Sequence, residues 1–326
     1  MKKAFFLFVL IFSFKVFALS QELSTEDAQP AAVKSFQNHI IPMLGFQTLQ
    51  TDEEDFIFSP SVNLQFMRIK SPGVESKAPD LIAIGAGYSM SYHTAGLGQD
   101  DVHQLHGCNL MGSLNAGKNS FVAMLASNGQ IPFSHIKTLT GVLLYTHQLV
   151  KTDNISFVLG GGLIVGDFDV KIKDFDLYFF ALPVFRFNYM NDYLTTSVSL
   201  MGPPSIQLTL FPKSMFRFKG SLGMAGIKSI RDLTFDCSVL CYPLTKSKLK
   251  DMVYVSAGIM NKVSSTILRD KTKYEYQYYS VYGEISAILV TLRCGYNFDG
   301  KKLINNEVVD DLYQGLFASL NVMFML

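Results

Sequence analysis

The chain has 326 residues, of which 48% are hydrophobic and 17% charged, and it contains 27 Phe and 15 Tyr but no Trp. Its formal net charge of +1 gives no electrostatic basis for binding nucleic acid or an anionic surface. Mean hydropathy is +0.22, yet beyond the N-terminus no run approaches the roughly 18 consecutive apolar residues that a membrane-spanning helix needs. Apolar and polar residues are interleaved, so a closed barrel is the structure by which such a chain could cross lipid.

The N-terminus has the pattern of a secretory signal. "MKKAFFLFVLIFSFKVFALS" combines two lysines, the apolar stretch Ala4–Phe14 and a small-residue site, with the cut after Ala18 or Ser20. No cysteine follows the apolar stretch, so a lipoprotein anchor is not indicated. We therefore predict a signal peptide at residues 1–20 and an exported chain of a single domain at 21–326.

Strand-like alternation follows along the rest of the chain. In "SVSLMGPPSIQLTLFPKSMFRFKG", Ile206, Leu208 and Leu210 alternate with polar residues, and Gly-Pro-Pro and Pro-Lys-Ser interrupt the runs. The same pattern predicts thirteen strands, at about 61–70, 80–92, 136–150, 155–168, 175–189, 194–201, 205–211, 215–225, 232–242, 252–262, 274–282, 284–298 and 314–326. Turn residues separate several of them, at 151–154, 190–192 and 299–301.

Two further segments are ambiguous. Residues 36–49 and 109–127 could each add a strand or form a plug, a loop or a short helix. Because single-chain bacterial barrels have an even number of strands, we expect about twelve, with ten to fourteen as alternatives. Pro183 removes a hydrogen-bond donor within a predicted strand, so a break or a bulge is expected there.

The C-terminal segment "GLFASLNVMFML" resembles the last strand of bacterial outer-membrane β-barrel proteins. Leu316, Leu320 and Phe324 lie on its apolar face, although Phe324 lies two residues before the end, where the usual aromatic is terminal. The resemblance implies a closed antiparallel transmembrane barrel in the outer membrane of a Gram-negative-type, two-membrane bacterium. It also implies membrane lipid and the barrel-assembly machinery as partners.

A narrower resemblance covers Phe179–Pro212, "FFALPVFRFNYMNDYLTTSVSLMGPPSIQLTLFP". A strand with Pro, an Asn-Asp turn and a strand ending in Gly-Pro are similar to an uncharacterised family of porin-like outer-membrane barrels. No substrate is assigned to that family, so the small-solute cargo stays unknown.

The barrel interpretation assigns each strand an outward and an inward face. The outward residues are the apolar sets Phe175, Leu177, Phe179, Phe185, Phe187, Leu233, Phe235, Cys237, Val239, Ile288, Val290, Leu292, Cys294, Tyr296 and Phe298. The inward residues include Asn188, Thr291 and the candidate lumen-lining residues Asp176, Arg186, Gln207, Arg217, Lys219, Asp236 and Arg293. Their excess of basic over acidic side chains suggests anion preference. A soluble β-sandwich or lipocalin-like barrel with the faces reversed has the same period of two.

Motifs for chemistry are few, and no cofactor is predicted. Cys237 and Cys241 lie about 13 Å apart on one strand, too far for a disulfide, so free thiols are expected. The segment from His93 to Cys108 is the densest cluster of metal-ligand types, with Asp100, Asp101, His103 and His106 between, in what we interpret as a long polar surface loop. Its spacing matches no closed zinc template, so no metal site is predicted.

An enzyme is the alternative class of function. Ser127-Asn128-Gly129 resembles the end of the motif of an outer-membrane phospholipase, but Leu125 stands where that enzyme has its His. Ser134 and His135 are adjacent, and in a strand they would point to opposite faces. Without a base in reach the hydroxyl is not activated, so we predict no enzyme activity.

The sequence therefore predicts a small channel or uptake pore for ions or small solutes. The alternatives are a non-conducting structural or adhesive barrel and a soluble periplasmic β-rich lipid-binding protein.

Overall fold

In the computed structural model, the antiparallel strands of the chain form one closed wall. The structure describes residues 36–71, 79–97, 101–166, 171–172, 175–176, 178–201, 204–224, 233–244, 251–305, 307–312 and 314–324. Within these ranges each strand pairs with the next one along the chain, and the last strand pairs with the first. The predicted closed antiparallel β-barrel is confirmed.

The wall has sixteen strands in the described part of the chain. The first eight are β1 (Phe36–Gln50), β2 (Phe56–Lys70), β3 (Leu81–His93), β4 (Gln104–Ala116), β5 (Asn119–Gly129), β6 (Leu139–Lys151), β7 (Ile155–Gly166) and β8 (Phe179–Met190). The others are β9 (Leu194–Leu200), β10 (Pro204–Leu210), β11 (Phe216–Met224), β12 (Leu233–Cys241), β13 (Val253–Ile267), β14 (Lys273–Ala287), β15 (Val290–Ile304) and β16 (Glu307–Leu312 and Gly315–Met323). The two parts of β16 follow one another along β15, so they count as one strand.

Two small elements lie between the wall strands. Lys171–Ile172 pairs with Phe175–Asp176 in a short hairpin, and Ile136–Thr138 forms a 3-10 helix before β6. The predicted strands at 136–150 and 175–189 therefore begin later than expected, at Leu139 and Phe179.

The expected number of about twelve strands is wrong. Residues 36–49 form β1, and the segment around 109–127 forms a hairpin of β4 and β5 about Gly117, which has a φ of +57°. These three strands, added to the thirteen predicted ones, give sixteen. The hairpin was ambiguous in the sequence because Gly, Ser, Ala and Asn occupy both of its faces, which weakens the contrast between apolar and polar positions.

The hairpin of β14 and β15 also differs from its prediction. Its turn lies at residues 288–289, where Ile288 has a φ of +53°, and not at Gly283. Residues 299–301, predicted as a turn, lie inside β15, because Gln277 pairs with Lys301 while Tyr279 pairs with Phe298. One extra residue on β15 therefore makes a β-bulge, with Asp299 at a φ of +45°. The sequence Asp299-Gly300 is compatible with a bulge as well as with a turn, because both require a residue with positive φ.

Pro183 lies in β8 without a register shift, opposite Gly161 of β7. On the other side of β8, pairing with β9 among the described residues ends at Phe185. Along β7 the break or bulge expected at Pro183 is therefore absent.

The outer face of the wall is apolar around its whole circumference. Large hydrophobic side chains are half-exposed on strands far apart, for example Ile84 at 61%, Phe179 at 60% and Leu292 at 44%. A soluble barrel would bury these side chains, since soluble proteins rarely expose continuous apolar surface. Of the predicted outward residues, Phe175 and Leu177 have side chains outside the described part, and Ile288 lies in a turn.

No helix in the described ranges is long and apolar enough to cross a membrane.

Candidate functional site: the lumen and its mouth

The interior of the barrel holds a polar cavity of about 670 Å³, which we call the central cavity. Strands on several sides of the wall contribute to it, including β1 with Gln47, β11 with Lys219, β13 with Lys262 and β15 with Arg293. The polar lining follows from the period of two along each strand, which points every second side chain away from the apolar outer face.

Arg293 is the centre of a hydrogen-bonded network. Its Nε donates to Oε2 of Glu284 at 2.6 Å, and its Nη1 lies 3.8 Å from Oδ2 of Asp236. The hydroxyls of Tyr282 and Tyr254 donate to Asp236 at 2.5 Å and to Glu284 at 2.7 Å. The positive charge of Arg293 is therefore compensated by two carboxylates. Two of the predicted lumen-lining residues, Asp236 on β12 and Arg293 on β15, thus come together across the two strands that separate them in the wall.

Sequence reasoning missed Glu284 and Lys262. Glu284 lies at the predicted break between two strands, and Lys262 lies at the predicted end of another. The sequence contains a signal for the inward position of Glu284. Val281 and Ile285 continue the outward apolar alternation across Gly283, which places Glu284 on the opposite, inward face.

The other predicted residues lie apart from this network. Arg217 pairs with Asp251 at 2.5 Å, and its guanidinium lies 3.7 Å from the ring centre of Tyr242. Burial raises the pKa of Tyr242, which follows β12. In the strand register, Arg186 of β8 lies opposite Ser199 of β9, and Gln207 of β10 lies opposite Ser197 of β9.

Asp176 lies in the short hairpin before β8 and not in a wall strand. Its side chain is outside the described part of the structure.

One mouth of the barrel is covered by tyrosines on β14. Tyr274, Tyr276 and Tyr278 are 4 to 6% exposed and pack in a cluster with apolar side chains from other strands. These partners are Leu49, Ile57, Leu97, Val102, Leu105, Met260, Leu268, Tyr282 and Phe317. We call the three tyrosines the tyrosine roof.

The tyrosine roof reaches across the lumen. The ring of Tyr276 stacks on the ring of His93 with centroids 6.1 Å apart, although four strands of the wall separate β14 from β3. The bulge in β15 lies beside the roof, and a bulge bends the strand that carries it.

At the same mouth, opposite sides of the wall touch. The backbone N–H of Gln130, after β5, donates to the carbonyl of Ile267 in β13 at 3.2 Å. The side chain of Asn128 donates to the carbonyl of Ser265 at 3.2 Å, and the N–H of Arg269 donates to Oε1 of Gln130 at 3.1 Å. Seven strands lie between β5 and β13 in either direction. This contact, which we call the rim bridge, divides the mouth.

The segment from His93 to Cys108 is only partly a loop. His106 and Cys108 lie on β4, and Asp100 is outside the described residues. His103 donates from Nδ1 to the carbonyl of His93 at 2.7 Å, and its Nε2 lies 3.3 Å from Asp101. The hydrogen bond to His93, helped by Asp101, raises the pKa of His103. In the described ranges, no three His, Cys, Asp or Glu side chains are grouped to hold a metal ion.

Ser127 is a structural hydroxyl. It is 1% exposed, accepts a hydrogen bond from the N–H of Phe133 at 2.7 Å and donates to Thr138 at 3.2 Å. Ser134 and His135 lie in the turn before the 3-10 helix, outside the wall strands. Each of the four cysteines is a free thiol.

A closed antiparallel wall with an apolar outer face and a polar interior defines the class of protein: a transmembrane β-barrel. No protein-family model matches the sequence, and no curated protein matches it.

Among solved structures, the chain is similar to OccAB4 of Acinetobacter baumannii, with a TM-score of 0.38 and 8% identity over 91% of this chain and 100% of that one. It is also similar to a mutant porin of Rh. blastica, with a TM-score of 0.33 and 8% identity over 89% and 100% of the two chains. A third neighbour is the outer membrane protein OmpT of Vibrio cholerae, with a TM-score of 0.32 and 7% identity over 90% and 100%. The class of this protein rests on the strand pairing and on the two faces of the wall.

Proposed function

We propose that this protein is an outer-membrane pore for ions or small solutes. The observation that carries the proposal is the polar central cavity of about 670 Å³ inside a wall with an apolar outer face. An interior of this kind is what a water-filled membrane barrel requires. The resemblance of the last strand to those of outer-membrane barrels supports the location, and implies membrane lipid and the assembly machinery as partners.

The charges of the interior favour anions. Arg293 is compensated by Glu284 and Asp236, whereas no carboxylate lies within ion-pair distance of Lys219, Lys262 or Arg186 among the described residues. Uncompensated positive charge in a narrow lumen attracts anions over distances comparable with the Debye length, about 8 Å at physiological salt.

A non-conducting barrel is the second candidate, because the tyrosine roof and the rim bridge cover one mouth. In a pore the covered mouth opens and lets solute through, whereas in a non-conducting barrel it stays closed. A soluble lipid-binding protein is disfavoured by the apolar outer face.

The test is conductance of the folded full chain in planar lipid bilayers, after cell fractionation has located it. A pore gives discrete current steps, and its reversal potential in a salt gradient reports anion preference. Lys219→Gln should move the reversal potential toward cations. Lys213→Gln, which removes an exposed lysine paired with Asp192 outside the lumen, is the matched control.

Absence of current steps, both in the wild-type barrel and in variants that loosen the rim bridge, would reject the pore in favour of the non-conducting barrel. Cation selectivity of the wild type would reject the anion preference alone.

A further inference from the structure

A second, smaller cavity of about 90 Å³ lies beneath the tyrosine roof, and we call it the roof cavity. Its lining combines one lysine with hydroxyl and amide groups from opposite sides of the wall, and the lining residues in the described part of the chain include no Asp or Glu. The polar groups that matter here are Gln47, Ser59, Asn128, Lys262, Ser264 and Thr266.

Lys262 brings a positive charge into this cavity without a neutralising partner. Its Nζ donates to Oε1 of Gln47 at 2.9 Å, and within the described ranges no carboxylate lies at ion-pair distance. The acidic groups deeper in the lumen, Glu284 and Asp236, are engaged with Arg293. A charge removed from bulk water without a counter-ion is costly, so this lysine favours an anion beside it.

Thr266 provides an independent sign of a missing partner. The residue is 8% exposed and lines the roof cavity, and its Oγ1 has no hydrogen-bond partner in the described structure. Buried polar side chains are nearly always hydrogen-bonded, so an orphan hydroxyl on a residue that lines a cavity indicates that the site accommodates a further polar group. Water could satisfy the hydroxyl, but it would leave the charge of Lys262 without a counter-ion.

We propose that the roof cavity binds a compact oxyanion, of the size of a short carboxylate or inorganic phosphate. Lys262 is the charge partner, and the Thr266 hydroxyl is a hydrogen-bond donor to the anion. A volume of about 90 Å³ corresponds to roughly three water molecules at about 30 Å³ each, which limits the anion to a few heavy atoms.

The route to this site runs through the central cavity, because Gln47, Ser59 and Lys262 line both spaces. On the other side of His93 and Tyr276 lies an outer cavity of about 320 Å³, lined by four carboxylates: Asp52, Asp55, Asp310 and Asp311. Lys302 also lines this outer cavity, but the four carboxylates outnumber it, so the net negative charge of the lining disfavours entry of an anion from that side. The route therefore rests on the proposed pore function, whereas binding itself can be measured without conduction.

The experiment is equilibrium dialysis of the full chain, folded in detergent micelles, against radiolabelled phosphate and, separately, radiolabelled acetate at constant ionic strength. We expect saturable binding of at least one of them at a single site. Glycerol, a neutral compact probe, should not compete with the bound anion.

Two variants assign the site. Lys262→Gln should weaken binding by about tenfold or more, because a charge-assisted hydrogen bond is lost. Thr266→Val, which keeps the volume, should weaken binding by about three- to tenfold. Lys262→Arg should retain binding, and Lys213→Gln should leave it unchanged. Heat-modifiable migration on gels verifies that each variant is folded.

The proposal is overturned if neither anion binds saturably, if glycerol competes equally, or if folded Lys262→Gln and Thr266→Val bind as the wild type does. If Lys262→Gln does not fold, the binding measurement on Thr266→Val alone tests the site. A barrel that binds the anion and never conducts refutes the pore and keeps the site. A barrel that conducts and binds neither anion refutes the site and keeps the pore.

Discussion

Substitution of Gly129 by Ala should open the mouth of the barrel. A Cβ at this position would lie 2.6 Å from the carbonyl oxygen of Ile267, whereas ordinary contacts begin at 3.4 Å. The two rims must then separate by about 0.8 Å, which lengthens the hydrogen bond from Gln130 to Ile267 from 3.2 Å to about 4.0 Å, beyond hydrogen-bond range. A lost backbone hydrogen bond costs about 0.5–1.5 kcal/mol, and about 1 kcal/mol shifts the balance between closed and open mouths roughly fivefold.

The assay is the time-averaged current of single barrels in planar bilayers, which should rise about fivefold in Gly129→Ala. Gly112→Ala is the matched control, since Gly112 lies in the neighbouring strand β4 and has no atom within 4 Å of its added Cβ. An unchanged current in folded Gly129→Ala, or an equal rise in the control, would refute the reasoning that the rim bridge closes the mouth.

Two further measurements address the outer face and the β3–β4 loop. Leu292→Arg places a charge on the apolar outer face and should lower the free energy of unfolding in lipid vesicles by about 2–4 kcal/mol, whereas Thr291→Arg on the polar face should cost less than about 1 kcal/mol. Equal costs in denaturant titrations would contradict the assignment of the two faces. The pKa of His103, followed by NMR, should lie above 6.5 and fall in Asp101→Asn. Because the pKa is raised in the folded state, the stabilisation of the loop is fully present below pH 6.5 and is lost as pH rises through the raised pKa; a titration midpoint at or below 6.5 would contradict the hydrogen bond to His93.

Several elements show where local pattern was sufficient. β9 and β10 follow the predicted strands at 194–201 and 205–211 to within a residue, because alternation and Gly-Pro-Pro punctuation are both strong there. The turns at 152–154 and 191–193 likewise follow from Asn and Asp. The sequence also predicts which residues of β15 face outward as far as Phe298, because apolar residues occupy every second position without interruption.

Other elements needed the neighbouring strands. Residues 299–301 have the composition of a turn, and only the pairing of β15 with β14 makes them a bulge. β4 and β5 have small residues on both faces, so their strand character depends on ladders with β3 and β6.

The amino-acid sequence alone determined that this protein is an all-β chain with one apolar and one polar face, because the period of two is local and hydrophobicity is a property of each residue. Only the tertiary structure decided that sixteen strands close the wall, that β5 and β13 meet across the mouth, and that Lys262, Thr266 and the tyrosine roof share a cavity. Each of these features depends on residues more than 100 positions apart in the chain, as in the contact of Gln130 with Ile267 across the mouth and of Lys262 with Gln47 in the cavity. Contacts of that kind leave no periodic signal in the sequence, since they depend on how the strands curve and close.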